Sequence, residues 1–146
     1  MVFTRILVGT DGSATADKAV ETAADLARQL GAELHVVTAY RAGGSGMGSA
    51  SGAALADTGA AEGLHAEAAK QIAEKALATW GEGLSTRAHA AAGSAADAII
   101  DTAESAGVDL IIVGSKGMHG ARRVLGSVPN SVAHSAGCAV LIVKTD

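Results

Sequence analysis

Three glycines and a serine near the C-terminus carry the most chemically suggestive spacing in this chain. Gly114 and Gly117 are separated by two residues, and Gly126-Ser127 follows after eight more, 118 to 125. The apolar run Val108 to Val113 (VDLIIV) leads into this segment, and Pro129 with the NSVAHSA stretch leads out of it. Main-chain N–H groups at a helix start, opened by glycine, form a cradle for an anion. Glycine also lets a ligand approach the backbone closely. Ser127 could cap the final helix and offer its hydroxyl to a phosphate, and Pro129 would fall in that helix's first turn, where its missing N–H costs nothing. A surface loop that uses its glycines only for turning would have the same spacing. Lys116, His119, Arg122 and Arg123 lie within or beside the loop, where they could offset phosphate charge or remain solvated.

Asp11 is the second chemical candidate. It ends the apolar run Phe3 to Gly9 (FTRILVG). A carboxylate there could accept hydrogen bonds from ribose hydroxyls or cap the helix that follows. Other reactive side chains show no useful pattern. His35, His65, His89 and His134 are scattered without metal-ligand spacing. Asp97, Asp101 and Glu104 read as a wet helix face, and Cys138 as a small buried hydrophobe. There is no Walker A motif, no G-x-S-x-G elbow, and the first turn, Gly9-Thr10-Asp11-Gly12, is not G-x-G-x-x-G.

These residues need a scaffold, and the hydrophobic pattern predicts an alternating one. Strands are expected at 3–9, 33–39, 84–92, 109–113 and 139–144. Helices are expected at 14–30, with Ser13 as N-cap and Gly31 beyond its C-terminus, at 64–80, at 95–106 and after Ser127. The third strand, rich in alanine, carries the weakest pattern. Arg41 to Gly63 holds seven glycines among Ser and Ala and reads as a flexible insertion. Alternation of this kind predicts an α/β fold with a parallel sheet and right-handed crossovers. Ligands of such sheets bind beyond the strand C-termini, where strand order reverses. If the first and fourth strands are neighbours, Thr10-Asp11 and the glycine loop face each other there.

Composition narrows the function classes. At 146 residues the chain is long enough for one domain with one core. Its net charge of −4 argues against a broad nucleic-acid footprint. No apolar stretch approaches the roughly 20 residues of a membrane span. A lone cysteine excludes an internal disulfide framework. A cytoplasmic location is the expectation.

Taken together, Ile6-Leu7-Val8-Gly9-Thr10-Asp11-Gly12-Ser13, Leu110 to Gly117, Gly126-Ser127-Val128-Pro129-Asn130-Ser131-Val132 and Val140 to Lys144 resemble the universal stress protein family over nearly the whole chain. The resemblance implies a single domain, 1–146, with 41–63 as the variable insertion. It implies a Rossmann-like five-stranded parallel sheet in the order 3-2-1-4-5, with helices on both faces. Many members bind ATP through G-x₂-G-x₉-G-[ST]; here Gly114, Gly117, Gly126 and Ser127 align with that motif, with a second spacer of eight. By the same resemblance Asp11 takes the ribose, the backbone of Ala39 reads the adenine edge, and Thr10 lines the pocket. A divalent ion, Mg2+ or Mn2+, could bridge the phosphates near Asp11 or Ser127. Cyclic AMP is the alternative ligand, since a shortened arm could suit one phosphate. The resemblance implies a homodimer through the last strand, Ala139–Lys144. A nucleotide-free dimeric interaction module remains the competing class. No catalytic constellation is visible, so at most slow ATP hydrolysis is expected.

Overall fold

A computed structural model describes residues 2–41, 52–115 and 125–145, with the backbone alone for 52–61. The elements run β1 (Arg5–Gly9), α1 (Ala14–Leu30), β2 (Glu33–Tyr40), α2 (Gly52–Trp80), β3 (Thr86–Ala92), α3 (Ala95–Ala106), β4 (Leu110–Gly114), α4 (Ser127–Ser135) and β5 (Ala139–Val143). The five strands form one sheet in the order β3-β2-β1-β4-β5, and every pair is parallel.

Burial explains the pattern. The central strands read as continuous aliphatic runs because both faces are covered. Ile6, Val8, Leu34, Val36, Leu110 and Ile112 face one layer with α1 and α2. Leu7, Val37, Ile111 and Val113 face the other with α3 and α4. Each such side chain removed from water contributes about 1.5–3 kcal/mol. Alanines on α1 (Ala19, Ala23, Ala24, Ala27) let that helix sit close to the sheet. Ser13 caps α1 by accepting from the Ala16 N–H at 3.1 Å, and Gly31 closes it in the left-handed region, φ 68°.

Two elements differ from the sequence expectation. α2 begins at Gly52 rather than Leu64, so 52–63 is helical and only 42–51 of the expected insertion lies outside the described residues. Five alanines between 52 and 63 favour helix, and their propensity outweighs the roughly 1 kcal/mol that each glycine costs. The other difference is at α4. Gly126, not Ser127, is the N-cap; its backbone is extended (φ −62°, ψ 163°) and no side-chain cap bond is made. Ser127 is the first helical residue, and a residue with helical backbone cannot serve as the cap.

Candidate functional site

The C-terminal ends of β1, β2 and β4 surround a cavity of about 660 Å³, within the usual range for small-molecule sites. Thr10, Asp11, Ala39, Gly114, Gly126 and Ser127 all line it. Gly117, with Lys116, His119, Arg122 and Arg123, lies outside the described residues. The cavity lies where strand order reverses, between β1 and its two neighbours.

The first wall is the turn after β1. The Thr10 N–H donates to Val37 O at 3.0 Å. Its hydroxyl accepts from the Gly12 N–H at 3.0 Å, and Asp11 Oδ1 accepts from the Ser13 N–H at 2.9 Å. Gly12 has φ +84°, which a side chain would strain. Asp11 therefore braces the turn while remaining exposed at the cavity. Capping of α1 falls to Ser13 and not to Asp11, so of the two uses of Asp11 weighed from the sequence the helix cap is not the one made. Behind it, Gly9 packs against α3; a Cβ there would lie 2.8 Å from Ile99 Cδ1.

Strand β2 supplies the second wall through its main chain. Its odd-numbered residues turn N–H and C=O toward β1: Glu33 N–H donates to Thr4 O at 2.9 Å and Val37 O accepts from Thr10. Its even-numbered residues turn toward β3, as in Leu34 N–H to Ser85 O and Gly93 N–H to Tyr40 O. Ala39 continues the odd series past Val37, the last residue in register with β1. Both of its main-chain groups thus face the cavity beyond the end of β1, a donor and an acceptor side by side.

Three helix starts border the cavity, and they are not alike. α1 contributes Thr15 and Ala16, α3 contributes Ala95 and Ala98, and α4 contributes Ser127, Val128 and Pro129. α1 and α3 each use a serine cap (Ser13, Ser94) and carry an acidic residue in the first turn (Asp17, Asp97). α4 has neither a side-chain cap nor an acid in its first turn. Its Ser127 and Val128 amides have no hydrogen bond to another described residue, while Asn130 N–H closes onto Gly126 O at 3.1 Å. Among the described residues, the partial positive charge of the helix N-terminus is left uncompensated at α4, unlike at α1 and α3.

This architecture has counterparts among known proteins. Residues 3–144 match the Universal stress protein family. The chain belongs to that family. Universal stress protein YxiE of Bacillus subtilis (strain 168) is 32% identical over 148 positions, spanning 98% of this chain and all of the relative. Among solved structures, a universal stress protein in complex with cAMP is 28% identical, with full coverage of both chains and a TM-score of 0.67. The hypothetical protein MJ0577 shares the fold with a TM-score of 0.77 at 24% identity, covering 100% of this chain and 99% of its own.

Sequence reasoning missed part of the lining. Thr15, Ala16, Ala95, Ala98, Ile99 and Thr145 also border the cavity. The small residues at the starts of α1 and α3 are the signal that could have found them, since bulk there would fill the space. The buried hydroxyls of Thr38 and Thr145, beside the cavity, make no hydrogen bond among the described residues. Asp11 is the one titratable side chain among the described lining residues. The groups with displaced pKa values lie elsewhere. Hydrogen bonding from His35 holds Glu33 low, burial lowers His89 and burial raises the Cys138 thiol. No described cluster of His, Cys, Asp or Glu could hold a metal.

Proposed function

We propose that this universal stress protein binds an adenine nucleotide, ATP foremost, as a regulatory ligand with little or no turnover. The observation that carries the reading is the start of α4, without a side-chain cap or an acid in its first turn, lining one cavity with the main chain of Ala39 and with Asp11. In this reading Ala39 reads the base edge, Asp11 and Thr10 hold the ribose, and Gly114, Gly117, Gly126 and Ser127 cradle phosphate. A divalent ion, Mg2+ or Mn2+, would ride on the phosphates near Asp11 or Ser127 rather than on a protein cage. Asp11 is the one titratable side chain among the described lining residues, and in this reading it is engaged by the ribose and by the Ser13 N–H, which supports a regulatory role over one that activates water.

Cyclic AMP is the second reading, favoured by the spacer of eight between Gly117 and Gly126 and by the 28%-identical relative solved with that ligand. Assembly completes the proposal. β5 is an edge strand with Leu141 and Ile142 at 40% and 37% exposure, and an uncovered apolar edge invites pairing. The protein is proposed to act as a homodimer through Ala139–Lys144, in the cytoplasm.

Denaturing the purified protein and separating the supernatant by chromatography tests the ligand directly. Nucleotide at a hundredfold its Kd should add about 2.7 kcal/mol, a Tm rise of roughly 5–10 °C for a domain of this size. No shift with ATP, ADP or cyclic AMP would refute the reading and favour a nucleotide-free interaction module.

A further inference from the structure

From the N-terminal half of β2 across to β3, three titratable side chains form a hydrogen-bonded chain. His35 is 2% exposed. Its Nε2 lies 2.6 Å from Glu33 Oε1, and its Nδ1 lies 2.8 Å from His89 Nε2 on β3. The two imidazoles are stacked, 8° from parallel with centroids 5.1 Å apart. His89 belongs to the edge strand of the sheet, so the ring contact joins β3 to β2 through side chains as well as through the ladder.

Counting protons shows what this chain tolerates. Glu33 as a carboxylate only accepts, so His35 Nε2 carries a proton. The contact between the rings needs one proton, on either nitrogen. The neutral pair satisfies this when His89 Nε2–H donates to His35 Nδ1. A singly charged pair satisfies it too, because one ring then donates and the other accepts. A doubly charged pair cannot: two N–H groups and two positive charges would meet at a hydrogen-bonding distance. The surroundings make the second proton costly. Arg87 and Arg5 approach Glu33 at 3.5 Å and 3.9 Å, and Ser85 also donates to it. Lys70 on α2 adds positive charge near His89. On α3, which packs over β2 and β3, Asp97, Asp101 and Glu104 are exposed and make no hydrogen bond or ion pair to either ring.

We propose that the Glu33–His35–His89 chain is an acid-triggered release for the edge strand, in which protonation of both rings pushes β3 away from β2. The direction agrees with the pKa of His89, held below the ordinary 6.5 by burial first and then by the charge of His35, Arg87 and Lys70, against the pull of Glu33. A histidine with a depressed folded pKa contributes stability above its unfolded pKa. That stability is lost as pH falls from about 6.5 through the folded value.

The test is amide hydrogen exchange of the full chain between pH 7.5 and 5, corrected for intrinsic rates. Wild-type β3 amides should gain up to about tenfold in opening per pH unit below 6.5, the most that one extra proton allows, while β1 and β4 amides stay level. His89→Gln, whose side-chain amide can still donate to His35 Nδ1, should remove the acid step. A flat wild-type profile, equal opening in β1 and β4, or the same acid step in His89→Gln would each overturn the proposal. If His89→Gln fails to fold, an NMR titration of the wild-type imidazoles decides. His89 taking its proton at or above the ordinary histidine range would overturn the proposal, and uptake below that range would support it.

Discussion

Ser127→Asp should make the protein more stable and a poorer phosphate binder at once. Ser127 is the first residue of α4, is exposed and lines the cavity. A carboxylate there would supply the negative charge that α1 and α3 already carry as Asp17 and Asp97. Its interaction with the uncompensated helix start is worth about 0.3–1 kcal/mol, a ligand-free Tm rise of roughly 1–4 °C. The same carboxylate would stand about 4–5 Å from a phosphate held by the Ser127 and Val128 amides. Two unit charges at that separation repel by about 1 kcal/mol in a water-like medium and about 4 kcal/mol near a protein surface. The exposed position of Ser127 favours the lower half of that range, about 1–2 kcal/mol, or roughly 5- to 30-fold in Kd. Calorimetry with ATP, cyclic AMP and adenosine, at low and high salt, measures it. Affinity for ATP should fall, the loss should shrink as salt screens the repulsion, and adenosine should bind as before. Ser127→Asn, neutral and of similar shape to Asp, is the control. A less stable ligand-free variant, or an equal loss for adenosine and ATP, would refute an anion site at α4.

Three further outcomes follow from the packing and the titratable groups. Gly9→Ala places a methyl 2.8 Å from Ile99 Cδ1 and should cost about 1–3 kcal/mol by overpacking. Ile99→Val removes that carbon, so urea unfolding should show the double variant more stable than the sum of the single changes by at least about 0.5 kcal/mol. Asp109 ties β4 to β1 by accepting from Thr4 N–H at 2.9 Å, Thr4 Oγ1 at 3.0 Å and Arg5 N–H at 3.1 Å. Burial raises its pKa, but those hydrogen bonds outweigh burial and leave it below the ordinary 3.8. Its stabilisation is thus present above pH 3.8 and lost as pH falls through the folded value. Asp109→Ala should lower the urea midpoint at pH 7 and lose that difference near pH 2. Burial raises the pKa of the Cys138 thiol above the ordinary 9.0; a thiol reagent at pH 8 should modify it more slowly in the folded protein than in urea.

The strand and helix order was legible because the buried strands are uninterrupted aliphatic runs and because α1 and α3 begin with serine caps and end at glycine. Ser13, Gly31 and the span 95–106 match their expected roles to the residue. The start of α2 was hidden because three glycines are interspersed among five alanines over 52–63, and composition alone does not rank their opposing propensities. The histidine pair was hidden for a different reason. His35 and His89 are 54 residues apart in sequence and meet only through the β2–β3 register, which no local spacing encodes.

The cavity divides along the same line. Its base and ribose ends, in the proposed reading, rest on Ala39, Thr10 and Asp11, positions held by the β1–β2 ladder and by the Thr10 and Asp11 hydrogen bonds. A main-chain reader leaves no mark in the sequence beyond a small residue that does not block it. In the same reading the phosphate end rests on α4 and on the sequence between Gly117 and Gly126, whose spacer of eight is one short of the motif the resemblance implies. On that reading a spacer shorter by one residue bears on the phosphate contacts and not on the nucleoside contacts, and selection between ATP and cyclic AMP would be concentrated there. Restoring a ninth spacer residue should shift the ratio of their affinities while leaving adenosine binding unchanged.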